Sequence, residues 1–238
     1  MIINFSVFGI VLLTTALALS PPAPPTLPPP APPTPNVAIS LAQDFLSQGT
    51  GFYSPPTLSF LSSDFVFRGG VVGPLNRDDY MRTMTTLNVP GSFSLQSNAF
   101  GFVVDPEDPY TVRFFLRNTG KHESDWQPWG KFPPIPLKRT GNEVLGPTEA
   151  GCVTIDPKEP TKIKFFNTGN VLRFGSASSN TGGLGAVLGL FHAIGFGDIG
   201  NMALIKQVRD GSNWMGGLFD VVPLTRSKAE AVPSWYKE

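Results

Sequence analysis

The chain has 238 residues with 18 Lys plus Arg against 18 Asp plus Glu, so it offers no net field for holding a polyanion. No basic stripe supplies one locally, and nucleic acid is excluded as a natural partner. A single cysteine, Cys152, rules out an intramolecular disulfide and a thiolate cluster, and two histidines, His122 and His192, are too few for a histidine-rich metal site.

No charged side chain precedes Asp44. Residues 1–20, "MIINFSVFGIVLLTTALALS", form an apolar run ending in Ala16-Leu17-Ala18, the small-x-small pattern that signal peptidases accept. Cleavage near Ala18 is expected, with retention as a membrane anchor as the alternative because a basic n-region is missing. Residues 21–36 are rich in proline, which fixes φ and removes amide donors, so an extended polyproline II spacer is expected there. A secretory-route leader on a chain that cannot form a disulfide fits a plastid reached through the endoplasmic reticulum, or secretion. A folded domain over 37–205 and a C-terminal extension over 206–238 complete the division.

The folded part opens with helical spacing. Val37, Leu41, Phe45 and Leu46 predict a first helix stopped by Gly49. Ser54 followed by two prolines predicts a short second helix to about Ser62. "DFVFRGG" alternates as a strand, with Phe65 and Phe67 opposite Asp64, Val66 and Arg68. Asn76 then caps a third helix, Asp78 and Asp79 complement its dipole, and Leu75, Tyr80, Met84 and Leu87 form its apolar set.

From Ser92 onward the pattern is strands. "YTVRFFLRN" places Tyr110, Val112, Phe114 and Leu116 on one face and Thr111, Arg113, Phe115 and Arg117 on the other. Further strands are expected in "SFSLQSNAFGFVVD", "GCVTIDP" and "TKIKFFNTGNVLRF", separated by a long polar insertion after Arg117. Helices followed by antiparallel strands make an α+β domain whose sheet buries one face against the helices.

The stretch "FLSSDFVFRGGVVGPLNRDDYMRTM" resembles a segment of the NTF2-like (SnoaL-like) superfamily. "RNTGKH" and "NTGGLGAVLGLFHAIG" are similar to motifs of plant and algal members, many with plastid-type leaders. The resemblance implies an NTF2-like cone: a curved antiparallel sheet wrapped by three N-terminal helices and open at one end, here with an added glycine-rich C-terminal helical segment. It also implies a homodimer through the open sheet face as an open alternative. The superfamily hosts isomerases, cyclases, dehydratases and carriers, so the fold does not select an activity.

In its enzymes a carboxylate just after the short strand often acts as general base, but here that position reads Phe67-Arg68-Gly69-Gly70. Asp64, at the strand's start, is left as a catalytic candidate beside its reading as a junction residue. His122 with Asp125 is the other acid-base candidate. Trp126 and Trp129 are candidates for stacking on a planar ligand at the cone's mouth, or for covering a sheet edge. Arg68, Arg113 and Arg117 are ligand-binding candidates if their guanidinium groups point inward; strand arginines face water as readily. Cys152 reads as a small core residue.

The glycine-rich run gives G-x-G-x-x-x-G at Gly183, Gly185 and Gly189 outside any βαβ unit, which excludes a dinucleotide fingerprint, and no Gly-Lys-Ser/Thr follows to make a P-loop. A helix over about 183–194 is expected, capped by Asn180 or Thr181, with Leu184, Leu188 and Phe191 on one side and closing the cone's wide end. Residues 182–197 as a membrane-surface contact are the alternative. With 19 phenylalanines, many on strands, the cone is expected to hold a hydrophobic small molecule such as a lipid or pigment, or to be filled by its own side chains. No cofactor and no metal are expected. The functional readings are therefore a binding module, an isomerase or cyclase using His122 and Asp125, and a membrane-associated or assembly protein.

Overall fold

A computed structural model describes residues 31–130, 135–172, 178–196 and 202–237. The leader over 1–20 and the linker up to residue 30 lie outside the described residues. Helix α1 spans Pro35–Gln48, with proline in its first turn, where a missing N–H costs nothing. It buries Ala38, Ala42, Phe45 and Leu46, whereas Val37 is exposed. The buried stripe is thus turned one residue from the expected one, because the two alanines let the helix approach the sheet closely.

The second expected helix is a single 3-10 turn over Leu58–Phe60. The last two residues expected in it, Leu61 and Ser62, belong to strand β1, Leu61–Gly69, whose first residue already pairs with Ile163. Strand β2 is the pair Leu75–Asn76, and α2 follows directly over Arg77–Leu87. The Asn76 side chain accepts the Asp79 amide at 2.9 Å, the cap read from the sequence, and Tyr80 and Met84 face inward.

Five longer stretches complete the sheet: β3 Phe93–Gln96, β4 Phe100–Val104, β5 Thr111–His122, β6 Glu143–Ile155 and β7 Ile163–Val171. The order is β2-β1-β7-β6-β5-β3, with β4 also on β5. Every pair is antiparallel except β1 with β7, so the sheet is mixed and not purely antiparallel as expected. No hairpin joins β1 to β7, and turn geometry therefore does not dictate their relative direction. Register shifts in the β1–β7, β4–β5, β5–β6 and β6–β7 ladders bend the strands, and the result is a curled half-barrel of α+β type.

The inner face follows the predicted alternation. Val112, Phe114 and Leu116 are buried while Arg113, Phe115 and Arg117 are outside. Against them pack Phe45, Phe65, Tyr80, Val153, Ile155, Ile163 and Phe166. Phe45 meets Phe166 edge-on at 5.1 Å and Phe67 lies between Tyr80 and Phe166, at 5.1 and 5.5 Å. Each such buried ring stabilises by about 1.5–3 kcal/mol. This part of the cone is filled by the protein's own aromatic rings.

A second cluster lies further along the same sheet and holds Val89, Phe93, Trp126, Val144, Leu190, Ala193 and Ile194. Its cover is α3, Ala186–Ala193, the glycine-rich helix. The helix starts later than expected, with Gly185 at the cap position, and buries Gly189, Leu190 and Ala193. Leu184, Leu188 and Phe191 are only half-buried, since the later start rotates the inward stripe.

Helix α4 spans Met202–Leu218, and the chain after it is docked on α2 and β1. Arg82 Nη2 donates to the carbonyls of Gly216, Phe219 and Val222 at 2.7, 2.7 and 2.9 Å. Thr83 exchanges hydrogen bonds with the backbone of Leu224, and Ser227 Oγ donates to Asp79 at 2.5 Å. Near the end of the chain Val232 is buried and Trp235 donates to the Asp64 carbonyl, so this segment is packed where a mobile tail was expected. Replacing Arg82 by Met should cost about 1.5–3 kcal/mol in urea unfolding, the range for hydrogen bonds from a charged donor. Limited proteolysis of the variant should cut first within 203–222; an unchanged midpoint and digestion pattern would show that the docking does not depend on Arg82.

Candidate functional site

The residues singled out in the sequence do not converge. Strand β5 runs on to His122, so "RNTGKH" is sheet and not the start of an exposed loop. His122 is fully buried, stacks on Phe93 at 4.6 Å, and its Nδ1 accepts the Thr140 amide at 3.2 Å. Burial lowers its pKa, which keeps the ring neutral, and its Nε2 is buried without a hydrogen-bond partner. Asp125 accepts from Lys138 Nζ at 2.8 Å and from the Arg139 amide at 2.9 Å. Those bonds hold its carboxyl below the usual range, the lysine first. No hydrogen bond orients His122 by Asp125, and the expected dyad is not formed.

Trp126 is a core residue with no exposure; its indole donates to the Leu87 carbonyl at 2.7 Å and it packs on Phe93 and Phe191. Trp129 donates to the Ile135 carbonyl and stacks on Phe191 at 5.8 Å. Both indoles cover α3, which explains them by packing. Arg68 donates to the Gly73 carbonyl and holds the turn before β2. Arg113 is paired with Asp105 on the outer face, and Arg117 donates to Thr148 there. Asp64 receives the Trp235 indole on its backbone carbonyl. None of the three arginines points into the cone, because each sits on the outward half of its strand's alternation or in a turn contact. Cys152 is partly buried, and desolvation raises its thiol pKa, away from a nucleophile's requirement.

A polar network with no signature in the sequence pattern divides the two apolar clusters. Tyr53, from the loop after α1, donates its hydroxyl to Asn118 Oδ1 at 2.6 Å, and Asn118 Nδ2 donates to Glu149 Oε1 at 3.0 Å. The same oxygen accepts the Ala186 amide at 3.1 Å, the first amide of α3. Asn118 is 5% and Glu149 1% exposed, and Glu149 Oε2 is buried with no partner. Burial pushes the Glu149 carboxyl above its usual range, with the amides of Ala186 and Gly169 and the Asn118 side chain opposing it. Burial, then Glu149, pushes the Tyr53 hydroxyl well up, so Tyr53 is a protonated donor.

Gly185 explains itself here. A Cβ at that position would stand 2.9 Å from both Cδ and Oε2 of Glu149. Only glycine lets the chain pass over the carboxylate, and Ala186 then supplies a donor at the positive end of the helix. The glycine-rich stretch is a strap laid across Glu149.

On the other side of Tyr53 the surface opens. A depression of about 500 Å³ lies between α1 and the β3–β4 edge, lined by apolar Leu46, Leu95, Ala99 and Phe102 and by polar Gln43, Ser47, Gln96, Ser97 and Asn98. Asp44 is its charged lining residue and Tyr53 belongs to both the depression and the network. Among the described residues no three His, Cys, Asp or Glu side chains gather in a way that could hold a metal ion.

No protein-family model matches the chain. No curated protein matches it either. Among solved structures it is similar to an NTF2-like protein from Anabaena variabilis, with 17% identity, TM-score 0.38, and coverage of 60% of this chain and 93% of that one. A protein assigned as a SnoaL-like polyketide cyclase from Jannaschia sp. gives 12% identity, TM-score 0.42, and coverage of 58% and 88%. An LEH-like epoxide hydrolase from M. tuberculosis gives 12%, 0.38, 57% and 84%.

Signals for the network were present but scattered. Asn118 lies within "RNTGKH", and Glu149 stands at an inward position of β6, in step with Gly151, Val153 and Ile155. With the strand taken to begin at Gly151, Glu149 fell in a loop and its inward register was invisible. A raised folded-state pKa means that charging Glu149 destabilises the fold: its contribution is fully present below the unfolded value of about 4.3 and is lost as pH rises through the folded value. The stability difference between Glu149→Gln and wild type should therefore move in favour of the variant from pH 4 to pH 8, by about 1.4 kcal/mol for every tenfold by which folding tightens the carboxyl's hold on its proton. Parallel thermal-unfolding profiles for the two proteins would contradict the burial of an ionisable group there.

Proposed function

We propose that the protein is a binding module for a small molecule with an apolar body and a polar end, held in the depression between α1 and the β3–β4 edge. One observation carries this reading: Tyr53 is at once a wall of the depression and the first member of the buried Tyr53–Asn118–Glu149 chain. Surface depressions that end on a satisfied, oriented polar group are suited to recognition, because the apolar wall supplies affinity and the polar group fixes orientation. The lipophilic guest expected from the composition is retained here as the apolar body on Leu46, Leu95 and Phe102; the deeper cone is occupied by Phe45, Phe65 and Phe166.

Catalysis through His122 and Asp125 finds no geometric support, since each is engaged elsewhere. A membrane contact through 182–196 is weakened by the inward direction of Leu190, Ala193 and Ile194; residue 197 lies outside the described residues. Native mass spectrometry and ligand-observed NMR on the full chain, with amphipathic small molecules, test the binding reading. Binding should be lost in Ala99→Trp, which fills the depression while leaving the thermal midpoint within a few degrees. Binding that survives this substitution unchanged would place the guest elsewhere.

A homodimer through the sheet is a second proposal on the partner, supported by outward-facing Phe100, Val103 and Phe115, which are 46%, 53% and 36% exposed. Phe100 and Phe115 pair at 5.5 Å and form an apolar patch on the outer face of β4 and β5. Sedimentation equilibrium should give a dimer that Phe115→Glu dissociates; a wild-type monomer across micromolar concentrations would refute it.

A further inference from the structure

Helix α4 presents large apolar side chains to solvent. Val208, Trp214 and Leu218 are each more than half exposed, Trp214 the most at 70%, and Val221 just beyond the helix is exposed as well. At 3.6 residues per turn, Val208, Gly211, Met215 and Leu218 fall on one line and Trp214 stands beside it. A Cβ at Gly211 or Gly217 would meet no atom within 4 Å, so no described residue covers the helix there. The opposite side holds the helix in place. Ile205 and Gly216 are buried, Ser212 Oγ donates to the Pro223 carbonyl at 2.6 Å, and Asn213 Oδ1 accepts the amides of Thr225 and Arg226 at 2.8 and 3.0 Å. These contacts fix which way the helix is turned, and the apolar stripe is therefore a set outward surface.

Charge is confined to the margins of the stripe and balanced there. On the outer half of the helix the charged residues are Lys206 and Asp210, of opposite sign and four apart, and the same row runs on into Trp214 and Leu218. Arg209 is partly buried and paired with Asp210 at 3.3 Å, and Asp220, between Leu218 and Val221, has Arg82 at 3.5 Å as its counter-charge. A strongly charged partner finds no complementary field on this surface. A helix with an apolar stripe, balanced charge on its flank and tryptophan at the boundary suits a zwitterionic bilayer surface, where aliphatic side chains enter the acyl region and tryptophan sits at headgroup level. Such a helix lies on the surface and does not cross it: no described helix is long and apolar enough to span a membrane.

We infer that α4 is a peripheral membrane-docking helix, which lays Val208, Trp214, Leu218 and Val221 against a zwitterionic lipid surface. Residues 1–20 argue for lipid over a protein partner. They are uncharged, apolar and long enough to enter a bilayer, and residues 21–34 join them to α1 through a proline-rich spacer whose extended reach is about 40 Å. Acting as an anchor, that run holds the folded part beside a bilayer; acting as a leader, it delivers the chain to one. The docking surface shares no residue with the depression of the binding reading, and the two stand or fall separately.

The test uses the full chain and phosphatidylcholine vesicles with and without bromine on the acyl chains, a short-range quencher of tryptophan. The wild type should float with the vesicles, and the brominated lipid should lower its tryptophan emission. Trp214→Phe, which keeps the stripe apolar, should still float but lose most of that quenching, because Trp126 is buried and Trp235 is held on the Asp64 carbonyl. Val208→Ser combined with Leu218→Ser, at two exposed positions, should leave the thermal midpoint within a few degrees and cut the Trp214 quenching by about tenfold or more at equal lipid. Equal quenching in the wild type and Trp214→Phe would overturn the proposal and leave residues 1–20 as the contact. A wild type that does not float, or Trp214 quenching that survives the serine pair, would overturn it too. A concentration-dependent oligomer that the serine pair dissociates, without quenching of Trp214, would overturn it in favour of a second copy of the chain.

Discussion

The inner face of the curled sheet carries Val112, Phe114, Leu116, Val153, Ile155 and Phe166, and water must be kept from this face along its whole length. Sheet curvature makes the task harder, because the bulged ladders turn the inner face into a trough that no single helix can cover. α1 and α2 cover one end with Phe45, Leu46, Tyr80 and Met84, and α3 covers the other with Leu190 and Ala193. The placing of these three helices follows from that division.

Between the two covers lies the Tyr53–Asn118–Glu149 chain, where apolar packing is interrupted by hydrogen bonds. Burying this chain costs stability that an apolar substitute would not, since one carboxylate oxygen is unsatisfied. What the fold gains is a fixed point. The carboxylate holds the first amide of α3 and thereby seats the glycine-rich strap, and through Asn118 it fixes which way the Tyr53 hydroxyl points. The same chain thus anchors the cover of the second cluster at Glu149 and reaches the depression at Tyr53.

The C-terminal segment obeys a different logic. It is bound to α2 mainly by a guanidinium reading three carbonyls and by hydroxyl contacts at Thr83 and Ser227. Helix α4 meanwhile leaves Val208, Trp214 and Leu218 facing outward at 57%, 70% and 60% exposure. The inward side of this helix mixes buried Ile205 and Gly216 with the polar contacts of Ser212 and Asn213, so large apolar residues are left outside in a way that α1 and α2 do not show.

Local chemistry determined a good part of this protein. The Asn76 cap, the α2 apolar set and the alternation of β5 are properties of neighbouring residues at periods of 3.6 and 2, so the chain alone specified them. Other features depended on competition between distant segments. Leu61 pairs with Ile163, and this pairing draws the last two residues of an expected helix into β1, leaving a single 3-10 turn before it. "RNTGKH" became sheet because Phe93 to Gln96 and Glu143 to Leu145 pair with it on either side. The site was decided wholly by tertiary structure: Tyr53 and Asn118 are 65 positions apart, Asn118 and Glu149 another 31, and no short-range pattern marks residues that meet only when three strands and a strap close over them. His122, Asp125 and the arginines had the right chemistry for a site, but strand register turned the arginines outward, and packing or nearer partners claimed His122 and Asp125, because burial and hydrogen bonding are settled by the whole fold.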